Sequence, residues 1–335
     1  MNRRCLLWTL LPPIFCLMLR LEAQAAKLAS VVDCKVINFP DPISFGTDID
    51  ILTGAAIWTG GSGQVQCTGI PTGYEVRFCI GLSMGGYVTA VTDPRKMANG
   101  TNRLNYNIYL DSNGNSVWTT NDLLKPYVDL SPIKTITSTR AFFARLDKNQ
   151  QSATVGKYTD TININSHFYV KDTSNGQQLP ADCNATPIYA RPPSIAIGVT
   201  ATITPNCYIS STNITFDPQT IITTDLLAES ALTVKCTNDP MNPILPYISL
   251  DDGQHAASGQ RQMENEYKPG NFISYDLYSD SQRLKPWRST HGVNTVAIPR
   301  SASDTSVPVY GKIPKPDISP AAGPYKDRIT ATVNF

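Results

Sequence analysis

Histidine is nearly missing from this 335-residue chain, which carries only His167, His255 and His291. None lies in a His-Glu-x-x-His run or beside a Gly-x-Ser-x-Gly elbow. A zinc hydrolase or a Ser-His-Asp site therefore has little to build on. No Cys-x-x-Cys occurs, which removes the spacing that structural zinc sites use. Charge is scarce as well, with 16% charged residues and a formal net charge of +1, so nothing calls for nucleic acid or an anionic membrane surface. Beyond the N-terminus no apolar run is long enough to span a bilayer, and no stretch offers a long, capped amphipathic helix. These absences exclude whole classes and lead us to expect no catalysis, no cofactor and no bound metal.

What the chain does have begins at its N-terminus. Arg3 and Arg4 precede an apolar run from Leu6 to Leu19, broken by Pro12 and Pro13, and Ala23-Gln24-Ala25 forms a small-x-small cleavage site. Residues 1–25 read as a secretory signal peptide. Its removal takes away Arg3, Arg4, Arg20 and Glu22 and moves the net charge to −1. Six cysteines remain, an even number in an exported protein, which points to disulfides.

The chain then repeats itself. Cys67, Tyr106, Tyr109, Asp111 and Trp118 return as Cys236, Tyr275, Tyr278, Asp280 and Trp287, each 169 positions later. Gly156-Lys-Tyr158-Thr-Asp160-Thr-Ile162 returns as Gly323-Pro-Tyr325-Lys-Asp327-Arg-Ile329, and Phe168 as Phe335, 167 positions on. Two related domains stand in tandem. Polar, Gly-bearing sequence after Lys171 and the stiff Pro192-Pro193 pair place the boundary near Arg191. The domains are therefore 26–190 and 191–335. Duplication pairs Cys34 with Cys67 and Cys207 with Cys236, leaving Cys79 for Cys183.

The pattern is strand throughout. Val65–Gly69, Tyr74–Leu82, Leu104–Leu110, Thr139–Leu146 and Thr159–Phe168 are short runs rich in β-branched and aromatic residues, separated by Gly, Pro, Asn and Asp. In the second copy Tyr325, Ile329, Ala331, Val333 and Phe335 share one face of a half-buried strand. An all-β fold of two tandem sandwiches follows. The first copy has room for one more strand after Phe168, and the second has none. Asp111-Ser-Asn-Gly-Asn115 reads as a turn rather than a calcium loop, because spaced acidic ligands are missing. Asp160 and Asp327 read as strand-entry residues. The duplicated Tyr106, Tyr109 and Trp118 read as core, since a residue needed by both copies serves the shared fold.

Two loops of the first copy are unusually apolar. Leu52, Ala55, Ala56, Ile57 and Trp58 lie in one, and Met84, Tyr87, Val88, Ala90 and Val91 in the other. Exposed apolar clusters mark contact surfaces. Strand parity places both loops at one free end of the first domain, where they would form a single surface-binding patch.

At this point the residues resemble a known family. Cys34 through Phe45-Gly46, Cys67, the Tyr-x-x-Tyr-x-Asp…Trp segment and the Gly-x-Tyr-x-Asp-x-Ile strand are similar to the spore coat U domain, which builds the pilins of archaic (Csu-type) chaperone–usher pili. The likeness covers nearly all of residues 26–335, twice, although Phe216-Asp217 replaces Phe-Gly in the second copy. It implies two Ig-like, pilin-type β-sandwich domains, the second lacking its final strand. It also implies a periplasmic chaperone that lends a strand, an outer-membrane usher, and an adjacent pilin whose N-terminal segment replaces the loan. The edge Ile329, Ala331, Val333 and Phe335 would receive that strand. Only Ala26–Asp33 precede Cys34 after signal removal, too little to donate a strand, which fits a subunit at the fibre's end. The resemblance thus implies a tip adhesin, secreted through the periplasm to the cell surface, that binds an abiotic or host surface and promotes biofilm. A structural coat or matrix protein and a secreted carbohydrate-binding protein are the alternatives.

Overall fold

The computed structural model describes residues 32–88, 90, 93–120, 136–172, 176, 178–180, 183 and 191–335. Residues 1–25, which read as a signal peptide, and Val91 lie outside them. Among the described residues every regular element is a strand. The chain divides into two compact units. The first takes residues up to Gly46, Ala56–Lys148 and Lys157–Ala201; the second takes Thr47–Ala55, Asn149–Gly156 and Thr202–Phe335.

The first unit contains β1 (Asp33–Ile37), β2 (Ile43–Ser44), β3 (Ile57–Thr68), β4 (Tyr74–Leu82), β5 (Arg95–Asn99), β6 (Asn102–Tyr109), β7 (Ile136–Leu146), β8 (Gly156–Asp172) and β9 (Ile195–Ile203). Neighbours run β1-β3-β7-β6-β5-β8-β9-β2, with β4 also on β8. The 17-residue β8 serves three partners: Thr159 bridges Ala98 of β5, Ile164–Asp172 pair antiparallel with β4, and β9 lies beside it. Alternation explains its burial, since Tyr158, Asp160, Ile162, Ile164, Ser166 and Phe168 all turn inward.

β3 begins earlier than its composition implies and runs straight through Thr59-Gly-Gly-Ser-Gly63. The glycines are there because rings lie on the strand. A Cβ on Gly61 would meet the Phe142 ring at 3.0 Å, and one on Gly63 the Phe39 ring at 2.3 Å. Phe39 and Phe142 stack with centroids 5.0 Å apart.

The finding that most changes the picture is β9. Sequence reading assigned these residues to the second domain, yet Ile195–Ala201 fall in the first unit. β9 lies between β8 and β2 and pairs parallel with β2, Ile43 opposite Val199. Ile197, Val199 and Ala201 are all buried and complete the first core. The extra strand expected directly after Phe168 is instead a continuation of β8 to Asp172 on β4. The closing strand comes from further along.

The second unit holds β10 (Cys207–Ser211), β11 (Leu226–Cys236), β12 (Tyr247–Leu250), β13 (Arg261–Asn265), β14 (Phe272–Tyr278), β15 (Val296–Ala297), β16 (Thr305–Ile313), β17 (Tyr325–Lys326) and β18 (Ala331–Asn334). One sheet is ordered β10-β11-β16-β14-β13-β17 and the other β15-β12-β18. Leu232, Val234, Ile248, Leu250, Tyr275, Leu277, Trp287 and Val309 form its core. The disulfides Cys34–Cys67, Cys79–Cys183 and Cys207–Cys236 are all formed, as duplication implied.

Candidate strand-accepting edge and contact loops

β17 and β18 together repeat β8. β17 pairs with β13 as the head of β8 bridges β5, and β18 pairs with β12 as the tail of β8 pairs with β4. The difference lies on the other side. β8 has β9 beside it, whereas β18 ends its sheet, and among the described residues no strand covers that edge. The side chains register this directly. Ile162 and Ile164 are fully buried, while their counterparts Ile329 and Ala331 are half-buried, packed on the core from one side. Val333 is likewise half-buried, and Phe335 is 57% exposed where Phe168 is buried. An apolar strand with bare N–H and C=O groups is a template for pairing.

The repeated Gly-x-Tyr-x-Asp motif fixes where this strand starts. The Asp327 carboxylate accepts hydrogen bonds from the Tyr275 hydroxyl at 2.8 Å, Gln254 N at 2.9 Å and Arg328 N at 2.8 Å. Asp160 does the same with Tyr106 at 2.8 Å, Gly86 N at 3.0 Å and Thr161 N at 2.8 Å. Burial, with the adjacent carboxylate second, raises both tyrosine hydroxyls far above their ordinary pKa, so they remain donors. For Tyr275 the hydrogen bond to Asp327 follows burial in weight. The loops after β4 and β12 approach so closely that a Cβ on Gly85 or Gly253 would lie 2.1 or 2.0 Å from a carboxylate oxygen, and both glycines have positive φ. Strand entry was the role expected of these aspartates. Their function as pins between strand head and neighbouring loop required the third dimension.

A buried arginine completes each copy. Arg95 donates to Ser83 O, Leu82 O and Trp118 O, and Arg261 to Asp251 O, Leu250 O and Trp287 O. Arg261 also pairs with Asp276 at 2.7 Å. Burial lowers the Arg261 pKa, with the nearby Arg288 acting the same way and Asp276 opposing. The carbonyls and Asp276 keep the guanidinium solvated inside the fold. Trp118 and Trp287 donate to Ile80 O and Ile248 O, so these aromatics are core, as duplication implied.

The residues of the two apolar loops are divided between the two units. Leu52 and Ala55 belong to the second unit, and Ala56–Trp58 and Met84–Ala90 to the first. Leu52 is fully buried, so it is no contact residue. Ala56, Ile57, Met84 and Val88 are half-buried, while Ala55 and Ala90 are exposed. Trp58, now the second residue of β3, is 43% exposed and lies under Arg145, whose guanidinium carbon is 5.2 Å from the ring. Tyr87 is 44% exposed, with Arg103 at 4.6 Å from its ring. The first unit thus offers two exposed aromatics, Trp58 and Tyr87.

Only one group of metal-type side chains occurs among the described residues: Cys79, His167 and Cys183. Both sulfurs are consumed by their disulfide, and His167 Nε2 lies 2.7 Å from Cys183 O. Burial holds the His167 pKa below its usual value. The cluster is a packing feature.

Comparison with known proteins agrees with this architecture. The family model of the Spore Coat Protein U domain matches residues 21–165 and again 194–332. Protein U of Myxococcus xanthus is 31% identical over 134 residues, covering 36% of this chain and 69% of that protein. A similar fold occurs in the chaperone–tip adhesion subunit pre-assembly complex from the archaic chaperone–usher Csu pili of Acinetobacter baumannii. The likeness has a TM-score of 0.52 at 17% identity, covering 90% of this chain and 100% of that one. With the family pattern matched across both repeats, this chain belongs to the Spore Coat Protein U domain family and carries the domain twice.

Proposed function

We propose that this chain is the tip adhesin subunit of a chaperone–usher pilus. Its second repeat is held by a periplasmic chaperone through the β18 edge, delivered to an outer-membrane usher, and completed in the fibre by a strand from the adjacent pilin. Its first repeat attaches to an abiotic or host surface and promotes biofilm formation. It reaches the cell surface through the periplasm. It is not an enzyme.

The observation that carries the reading is the contrast between β8 and β18. In the first unit β9 covers the strand and buries Ile162 and Ile164, while in the second the same face stands half-covered. β9 precedes Cys207, so the first repeat is completed by the N-terminal strand of the domain that follows it. Applied once more, that arrangement leaves the second repeat waiting for the next subunit's strand. The similar Csu subunit was crystallised with its chaperone, and we infer the same class of partner here. Surface attachment is assigned to Trp58 and Tyr87 with the apolar neighbours Ala56, Ile57, Met84, Val88 and Ala90.

The test is immunogold labelling of intact fibres with an antibody against the first repeat. One label at a free fibre end is expected. Label distributed along the shaft, or on a fibre-free cell coat, overturns the assignment.

A further inference from the structure

Inside the second unit, two loops that the first repeat contributes close on one corner of the second repeat. Thr154 bridges Asn238, and Val155 N donates to Asn238 O at 2.8 Å. Lys235 Nζ donates to Leu52 O at 3.1 Å, the Tyr208 hydroxyl to the Asp50 carboxylate, and the Thr204 hydroxyl to Asp48. This corner flanks the Cys207–Cys236 disulfide. Ile49, Ile51, Leu52, Ala153 and Thr154 of these loops are all buried.

The second repeat possesses the same two loops, and there their apolar residues stand exposed. Its residues 218–225 stand where 47–56 stand in the first repeat, and 314–323 where 147–156 stand. Ile221 is 64% exposed and Ile318 is 85% exposed. Beside them Phe272, Pro314, Pro316 and Tyr325 line a cavity of about 470 Å³. Asp217 and Asp317 lie in or beside these loops, as Asp48 and Asp50 do in the first pair. The molecule therefore contains one filled and one empty version of a single surface.

Resting on the pilus reading, we propose that this empty surface docks the body of a further Spore Coat U domain. The domain would present its first-disulfide corner with a basic residue at the place of Lys235, in addition to giving its strand to β18. Strand pairing alone would leave the loops bare. The filled copy shows that strand and corner arrive together, because β9 leads into Cys207 within a few residues.

A photo-crosslinking side chain placed at Ile221, Ile318 or Val333 of the full chain, in cells assembling the fibre, separates the possibilities. The first two positions are exposed, so folding should not be disturbed. Met241, 89% exposed beside the chain's own corner, is the control. The expected result is an adduct from Ile221 and Ile318, but not from Met241, mapping next to the first disulfide of a Spore Coat U subunit. Val333 should map to that subunit's N-terminal strand. An adduct from Val333 with none from the loops overturns the docking surface and leaves the pilus reading intact. Loop adducts confined to the chaperone, or to the N-terminal strand, also overturn it. Loss of the Val333 adduct as well would bring down both.

Discussion

The strand β9 permits the sharpest test, because the two readings of the chain predict opposite outcomes. If the first domain ended near Arg191, changes at 195–201 would leave it intact. In the structure Ile197, Val199 and Ala201 fill its core. Burying an Ile or Val side chain contributes about 1.5–3 kcal/mol, so the two larger residues account for about 3–6 kcal/mol. The cavities left by truncation add to that loss. A domain's total stability is about 5–15 kcal/mol. The double replacement Ile197→Ala with Val199→Ala should therefore bring the first unit near its unfolding threshold. A fragment ending at residue 190 should not fold at all. Denaturant unfolding of the full chain, followed by Trp118 fluorescence and by hydrogen exchange in β8, reports the first unit; exchange in β11 reports the second. The first-unit transition should fall while β11 protection persists. Adding a peptide of residues 194–204 to the 26–190 fragment should restore protection in β8. A fragment that unfolds cooperatively without the peptide would refute the reasoning.

The remaining expectations follow from individual contacts. Replacing Arg261 by Ala should cost about 3–5 kcal/mol, because the Leu250 and Trp287 carbonyls and Asp276 lose a buried partner; Lys should not rescue it, since the fork geometry is lost, and thermal unfolding reads both. Asp327→Ala should destabilise the second unit by about 1.5–3 kcal/mol, the worth of a charged hydrogen bond, and weaken chaperone co-purification. The depressed His167 pKa means that the unfolded chain takes up a proton first as pH falls below the ordinary 6.5. Stability should therefore decline from that point until the folded-state pKa is passed, and His167→Gln should flatten the profile measured by urea midpoints. Trp58→Ala and Tyr87→Ala should lower surface attachment without lowering fibre number, whereas Leu52→Asp should prevent folding, as its full burial requires; attachment assays with fibre counts decide.

Much of the fold was legible because duplication checks itself. A residue kept at a spacing of 169 is one the shared fold needs, which identified Tyr106, Trp118 and their partners as core and assigned the disulfides. The β18 face was readable from simple alternation. What was not readable was the ownership of β9. Its alternating Ile197, Val199 and Ala201 announce a half-buried strand, but nothing local says whose core they enter, because strand exchange between adjacent repeats leaves the pattern unchanged. The glycines of β3 hide a strand for a related reason: their freedom resembles a loop until the Phe39 and Phe142 rings are seen lying on them. The contact loops were the weakest inference. An apolar residue in a loop reads as exposed whether it points outward or inward, and Leu52 points inward, fully buried.

The position of β9 also sets a timetable. Gly198 N bonds the Asp41 side chain across 157 positions of chain, so the first sandwich closes only after most of two hundred residues have become available. Pairings so distant in sequence form slowly. A chain crossing a membrane from its N-terminus would therefore hold its first domain open, with the β8 edge bare, until the start of the second domain arrived. The first domain's vulnerability to aggregation or proteolysis would then be governed by the rate of export rather than by its final stability.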